Sequence, residues 1–243
     1  TNHRILLTRS TSYFYDEQPP RETGATVSLS TNDTIVFLNE SAPGIYSTDR
    51  YFAGEIGKTY TLTIVTTDGE EYTSQSTIKH VARLDYVLAY YMPNSMYPYF
   101  GEPGFYNLKL FAQEPEGAGD NYMFKVYLED ETGRMQLHND TLIEQLFATT
   151  SDEGFDGMYL PGVDFYSFNQ SEIKRDTTYG KVEMLSIPKE FLDYGYAAIS
   201  EIFQGGMFGT IPANVPTNIS NGGLGFFYAS DITTHDFIIV KEH

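Results

Sequence analysis

Histidines, hydroxyls, carboxylates and tyrosines are the residues here with chemistry to offer, and their spacing decides what they could do. His3, His80, His138, His235 and His243 are scattered along the chain. No His-Glu-x-x-His run sets two imidazoles on one helix face, so a zincin-type metal centre has no support. Ser171-Glu172-Ile173-Lys174 and Ser186-Ile187-Pro188-Lys189 fit a Ser-x-x-Lys nucleophile spacing. The companion motifs of a penicillin-binding site and the Gly-x-Ser-x-Gly elbow are both missing, which makes these surface or strand-end residues. The glycine clusters at 205–209 and 222–225 lack the strand, glycine loop and helix order that aims backbone amides at a phosphate.

Acids and aromatics offer more. With 33 Asp and Glu, a carboxylate pair at glycosidase separation is available in principle, but linear sequence does not measure that separation. Asp152-Glu153-Gly154-Phe155-Asp156-Gly157 loosely resembles a calcium loop. Gly154 stands where an EF-hand wants Asp or Asn, and Val163 where its bidentate Glu belongs, so a solvated turn is the simpler reading. Tyr90, Tyr91, Met92, Met96, Tyr97, Tyr99, Phe100, Phe105 and Tyr106 crowd one proline-bearing stretch. Tyrosine has a flat apolar body and a polar tip, suited to sugars, peptides or a protein partner. Tyr90, Tyr91, Tyr97, Tyr99, Phe100 and Tyr106 are therefore the candidate binding surface; the alternative is a loop folded over its own domain. No catalytic residue, metal ligand or cofactor is assigned.

Composition narrows the setting. A formal net charge of −18 repels phosphate backbones and anionic headgroups, which argues against nucleic-acid or polybasic membrane binding. The chain has no Cys, hence no disulfide or thiolate site. No apolar run approaches the roughly 18 residues that span a bilayer. The chain opens at Thr1, which suggests removal of a leader that could have carried a lipid-anchor cysteine.

The elements that must position these residues are mostly strands. Twenty Tyr and 17 Phe without Trp favour pleated, half-buried surfaces. Short strands are predicted at Ile5–Arg9, Ala25–Leu29, Ile35–Leu38 and Ile45–Tyr46. Tyr60, Leu62 and Ile64 alternate with Thr59, Thr61 and Thr63, then turn at Asp68-Gly69 into Glu71–Thr73. This spacing predicts an Ig-like antiparallel β-sandwich over residues 1–80. Residues 81–243 are expected to form a larger β-rich domain. Its predicted parts are a strand at Val81–Tyr91, an aromatic loop over 92–101, and a hairpin of Tyr122–Leu128 with Arg134–Leu137. A strand at Tyr179–Ile187 follows, with final strands at Leu224–Ala229 and Phe237–Val240. One α-helix is predicted at about 188–204, with Pro188 in its first turn and Gly205-Gly206 as its stop. The fold class is mainly β.

Several segments together resemble a Bacteroidetes envelope lipoprotein family, domain of unknown function forty-two forty-nine. They are Leu7-Thr8-Arg9-Ser10 with Tyr13-Phe14, Gly24-Ala25-Thr26-Val27, Pro43-Gly44-Ile45-Tyr46 and Gly57-Lys58-Thr59-Tyr60-Thr61-Leu62. Asn121-Tyr122-Met123-Phe124-Lys125-Val126-Tyr127 continues the match. The most specific piece runs from Pro212-Ala213-Asn214-Val215-Pro216 through Thr217-Asn218-Ile219-Ser220-Asn221 to Gly222-Gly223-Leu224-Gly225-Phe226-Phe227. The early segments are also similar to carboxypeptidase-regulatory and transthyretin-like sandwich domains. The resemblance implies an exported, lipid-anchored protein encoded near TonB-dependent outer-membrane transporters, and it implies no catalytic residues. The expectation is a non-enzymatic, outer-membrane-anchored cell-envelope lipoprotein: a binding or accessory component whose partner is a transporter or another envelope protein. Its ligand would be a glycan or peptide and not nucleic acid, and its membrane contact would come only through an anchor absent from this chain. A glycan-binding module and a carboxylate-dependent hydrolase are the alternatives. Asn218-Ile219-Ser220 matches a glycosylation sequon, which in a bacterial protein would simply serve a turn.

Overall fold

The computed structural model describes residues 3–11, 19–93, 104–204 and 215–241. The chain is mainly β, and the strand pairings are antiparallel. It divides into two compact units, Thr1–Ile78 with Pro216–Ala229, and Lys79–Val215 with Ser230–His243.

The first unit holds β1 (Arg4–Leu6), β2 (Thr26–Ser30), β3 (Ile35–Ala42), β4 (Ile45–Ser47), β5 (Thr59–Val65) and β6 (Glu71–Thr77). Their order in one hydrogen-bonded path is β1-β4-β3-β2-β5-β6. The alternation that predicts β5 also decides its faces: Tyr60, Leu62 and Ile64 are buried beside Val27, Leu29, Leu38 and Tyr46, while the threonines point away. Pro43-Gly44 turns β3 into β4. Gly44 has φ +69, and a Cβ there would lie 2.7 Å from the Leu7 carbonyl, so only glycine fits. The buried Glu22 pairs with Arg9 and ties down the segment that follows β1.

Residues 216–229 pack with this unit, whereas the sequence alone places them in the second domain. Leu224–Ala229 is predicted as a strand and is not one. Side chains replace the ladder: Asn218 Nδ2 donates to the Phe227 carbonyl at 2.7 Å and its Oδ1 accepts from the Phe227 amide at 2.9 Å. The Ala229 amide donates to Ser76 Oγ at 2.9 Å, and the Thr73 amide to Ser220 Oγ at 2.7 Å. These bonds hold Phe227 in the core. The sequon asparagine is therefore a clamp, and residues 216–227, part of the stretch with the most specific family resemblance, pack with the first unit.

The second unit contains β7 (Arg83–Pro93), β8 (Gly104–Gln113), β9 (Asn121–Glu129), β10 (Met135–Leu137), α1 (Leu142–Phe147) and β11 (Thr149–Ser151). It continues with β12 (Tyr159–Asn169), β13 (Thr177–Ser186), α2 (Lys189–Gln204) and β14 (Ile232–Val240). One sheet runs β10-β9-β13-β14 with β11 also on β9, and the other runs β12-β8-β7. Both contribute to one core: Leu108, Leu110 and Ala112 of β8 meet Phe124, Val126, Val182 and Ile239. The sequence pattern anticipates β9, β10, β13 and α2. α1 rests on a capping box, in which the Glu144 amide donates to Thr141 Oγ1 and the Thr141 amide to Glu144 Oε2. α2 packs on α1 so closely that a Cβ on Gly195 would meet Leu146 Cδ2 at 2.3 Å.

The β9–β10 turn yields a pH prediction. Asp130 Oδ1 accepts from the Thr132 hydroxyl at 2.6 Å, the Thr132 amide at 2.8 Å and the Arg134 amide at 3.0 Å. These donors, the Thr132 hydroxyl first, lower its carboxyl from 3.8 to about 2. A depressed native value means the turn's stabilisation is complete above the unfolded-state pKa and is lost as pH falls through about 2. An NMR titration of the Asp130 carboxyl should have its midpoint near 2; a midpoint at an ordinary aspartate value contradicts this account of the turn.

Candidate functional site

Residue alternation splits the aromatic candidates. On a strand, neighbours point to opposite faces, so Tyr90 and Tyr91 of β7 cannot share a surface. Tyr91 sits directly across from Tyr106 of β8, with ring centroids 5.3 Å apart. Tyr106 is only 2% exposed, stacks against Phe168 and donates its hydroxyl to the Val240 carbonyl at 3.2 Å. It shares the inward register of Leu108, Leu110 and Ala112, so Tyr106 belongs to the core and not to a binding surface. Tyr91 is half-buried against the same core, its hydroxyl donating to Gln170 Oε1 at 3.1 Å. Tyr90 faces the other way. Its hydroxyl donates to Asp164 Oδ1 at 2.9 Å and accepts from Asn107 Nδ2 at 3.0 Å, and Lys109 Nζ lies 4.6 Å from its ring centroid. Tyr97, Tyr99 and Phe100 lie outside the described residues.

The other sequence candidates are structural. The hydrogen bond of Lys174 Nζ goes to the carbonyl of Ser171, not its hydroxyl. The Ser186 hydroxyl donates to the Lys79 carbonyl at 2.7 Å and accepts from the Asp231 amide at 3.0 Å. His138 is bonded through both ring nitrogens, Nδ1 to the Tyr166 hydroxyl at 2.9 Å and Nε2 to Glu172 at 2.8 Å. That bond leads the effects that hold the Glu172 carboxyl below its usual range, while burial pushes the Tyr166 hydroxyl up. With both nitrogens engaged, His138 clamps the chain after β10 to the turn at Gln170–Glu172.

A carboxylate cluster emerges instead where β8 ends, β9 begins and β11 ends. Glu114 follows β8, Asp120 precedes β9, and Asp152 follows β11. Pairing of β11 with β9 brings the last two together, since Ser151 sits opposite Asn121 and the Asp152 amide donates to the Asp120 carbonyl at 3.0 Å. One carboxylate oxygen from each residue lies within 4.8 Å of the others. Glu114 is 2% exposed and Asp152 6%. The Tyr122 hydroxyl donates to Glu114 Oε1 at 2.6 Å, and the Gly119 amide donates to Asp152 Oδ2 at 2.7 Å. Burial pushes the Glu114 carboxyl up against the opposing Tyr122 bond, and the Tyr122 hydroxyl is raised as well, first by burial and then by Glu114. Asp152 is thus not the head of a solvated turn. Asp156 belongs to the same loop region, accepting from the Gly117 amide at 2.7 Å.

A cavity of about 160 Å³ borders the cluster, with Glu114, Asp152, Asp164, Tyr122, Phe155 and Phe165 among its lining residues. Pockets for organic ligands run to about 300–1,000 Å³. This space suits an ion and water better than a sugar ring, which weakens the hydrolase reading of these carboxylates. Glu114 and Asp120 escape a reading by motif because nothing in linear spacing joins them to Asp152. The dense turn Glu114-Pro115-Glu116-Gly117-Ala118-Gly119-Asp120 was the one visible signal.

Fold and site together define a mainly β, antiparallel protein of two compact units, the larger carrying a buried carboxylate cluster beside a small cavity. The chain belongs to the family described as Domain of unknown function (DUF4249), whose sequence model matches residues 1–236. No curated protein and no solved structure matches the chain.

Proposed function

We propose that this chain is a non-enzymatic lipoprotein of the bacterial cell envelope, working as a binding or accessory component beside a TonB-dependent outer-membrane transporter. The Bacteroidetes origin and the Ig-like or transthyretin-like character of the first unit are part of the same proposal. Its envelope setting draws on the family resemblance. Its mode of action, contact with another protein, draws on one structural observation. Tyr179 of β13 stands opposite Ile238 of β14, and Val240 lies two residues further along the same face. They are 51%, 54% and 69% exposed. Three large apolar side chains exposed together on one sheet face support reading that face as an interaction surface. The glycan and hydrolase alternatives draw less support, because Tyr106 is core, Tyr90 is tied to its neighbours and the acidic cavity is small.

The test is co-isolation from detergent-solubilised envelopes of the native host, using the chain tagged and expressed from its full-length gene. A transporter barrel should accompany the wild type and fall at least tenfold in yield with Ile238→Asp combined with Val240→Asp. Recovery of the chain as a secreted protein with no barrel would count decisively against the proposal.

A further inference from the structure

We propose that Glu114, Asp120 and Asp152 form a site for one divalent cation, with calcium the ion their chemistry selects. The inference begins with an unmet group. Glu114 Oε2 is buried and has no hydrogen-bond partner among the described residues, while its sister oxygen takes the Tyr122 hydroxyl. Leaving a carboxylate oxygen buried and unpaired is costly, so such groups are matched by a donor or a metal ion. The residue that carries this orphan oxygen is one of three, Glu114, Asp120 and Asp152, that each bring one carboxylate oxygen within 4.8 Å of the others. Two oxygens bound to one calcium at roughly 2.3–2.6 Å each stand no more than about 5 Å apart, so this spacing is one a single ion can bridge.

Charge points the same way. Lys79 Nζ donates to the Gly119 carbonyl at 3.0 Å and lies 3.7 Å from Asp120 Oδ1. One ammonium beside three carboxylates leaves an excess of negative charge, and Asp156 adds to it. The donors are all oxygen, which selects a hard cation over zinc or copper. Three carboxylates converging from three separate chain segments exceed the one or two that magnesium takes from protein, and suit the larger, more adaptable calcium shell. The adjoining cavity has room for the waters that complete that shell.

The experiment uses the purified chain after chelator treatment and dialysis. Calcium titration by calorimetry should show saturable binding of one ion, and saturating calcium should raise Tm by about 5 °C or more. Terbium should bind competitively and luminesce through energy transfer from Tyr122, the chain having no Trp. Asp152→Asn and Glu114→Gln should each weaken calcium binding at least tenfold. Asp120→Asn, at a partly exposed position, supplies the same test if a buried variant fails to fold. Lys79→Met should tighten binding several-fold by removing the competing ammonium. Absence of calorimetric heat and of a Tm shift in the wild type overturns the proposal. So does a response that calcium and magnesium give equally and that survives Asp152→Asn, since that is diffuse screening of an acidic chain.

Discussion

Asn139→Ala should destabilise the second unit by about 3 kcal/mol, a large loss for one exposed-looking asparagine in a loop sequence. The side chain is in fact fully buried. Along the free edge of β9, β10 pairs with Tyr127–Glu129 and β11 with Asn121–Met123. Phe124 and Val126 fall in the gap between them. His138 and Ala148 serve two of the four backbone groups there: the His138 amide donates to the Val126 carbonyl at 2.7 Å, and the Phe124 amide donates to the Ala148 carbonyl at 2.8 Å. Asn139 serves the other two, its Oδ1 accepting from the Val126 amide at 3.0 Å and its Nδ2 donating to the Phe124 carbonyl at 2.9 Å. The amide side chain acts as a missing strand residue. Truncation leaves two buried main-chain groups unpaired, at about 1–3 kcal/mol each. Asn139→Asp should be at least as harmful, because it removes the donor and buries a charge. Urea unfolding would show the loss as a lower midpoint, and hydrogen exchange should accelerate first at the Val126 amide. A loss below about 0.5 kcal/mol would mean that water takes over both bonds.

Gly180→Val should cost about 2–4 kcal/mol, by forcing a buried ring out of place. Gly180 lies mid-strand in β13, between β9 and β14, where a glycine would ordinarily weaken the sheet. Its cross-strand partner Phe237 explains it: a Cβ on Gly180 would meet the ring at 2.2 Å. The ring lies over the glycine and is itself part of the core, 4% exposed. Because the two positions share one volume, their substitutions should not be additive. Phe237→Leu in the Gly180→Val background should restore much of the loss. Strict additivity of the two single changes, read from denaturant midpoints, would show that the ring moves aside at no cost.

Elements encoded by local chemistry were legible in the sequence. The β5–β6 hairpin shows period-two alternation around Asp68-Gly69, and α2 shows helical spacing between Pro188 and Gly205. β8 was hidden by its neighbours: the prolines of 93–98 suggest a loop, although Tyr106, Leu108, Leu110 and Ala112 already alternate with Asn107, Lys109 and Phe111. β12 is harder, because register shifts between Pro161 and Val163 and between Asp164 and Tyr166 break its period. The capping box Thr141-Leu142-Ile143-Glu144 is a local signal for the start of α1. Leu224–Ala229 looks like a strand because its residues are strand formers, yet Asn218, Ser220 and Ser76 take the backbone bonds a ladder would have made. Of the carboxylate cluster the sequence shows only the acidic turn Glu114 to Asp120, since Asp152 joins it only once β11 lies against β9.

Contact through a displayed sheet face, in place of bond-breaking at a cleft, is the proposed mode of action. A photo-activatable residue at position 238, in the full-length chain within the native envelope, tests this most directly. Crosslinking should yield one dominant adduct with a transporter barrel, and placing the probe at exposed Ile35 of the first unit should not reproduce it. Adducts with lipid alone, or the same weak mixture from both positions, would contradict it.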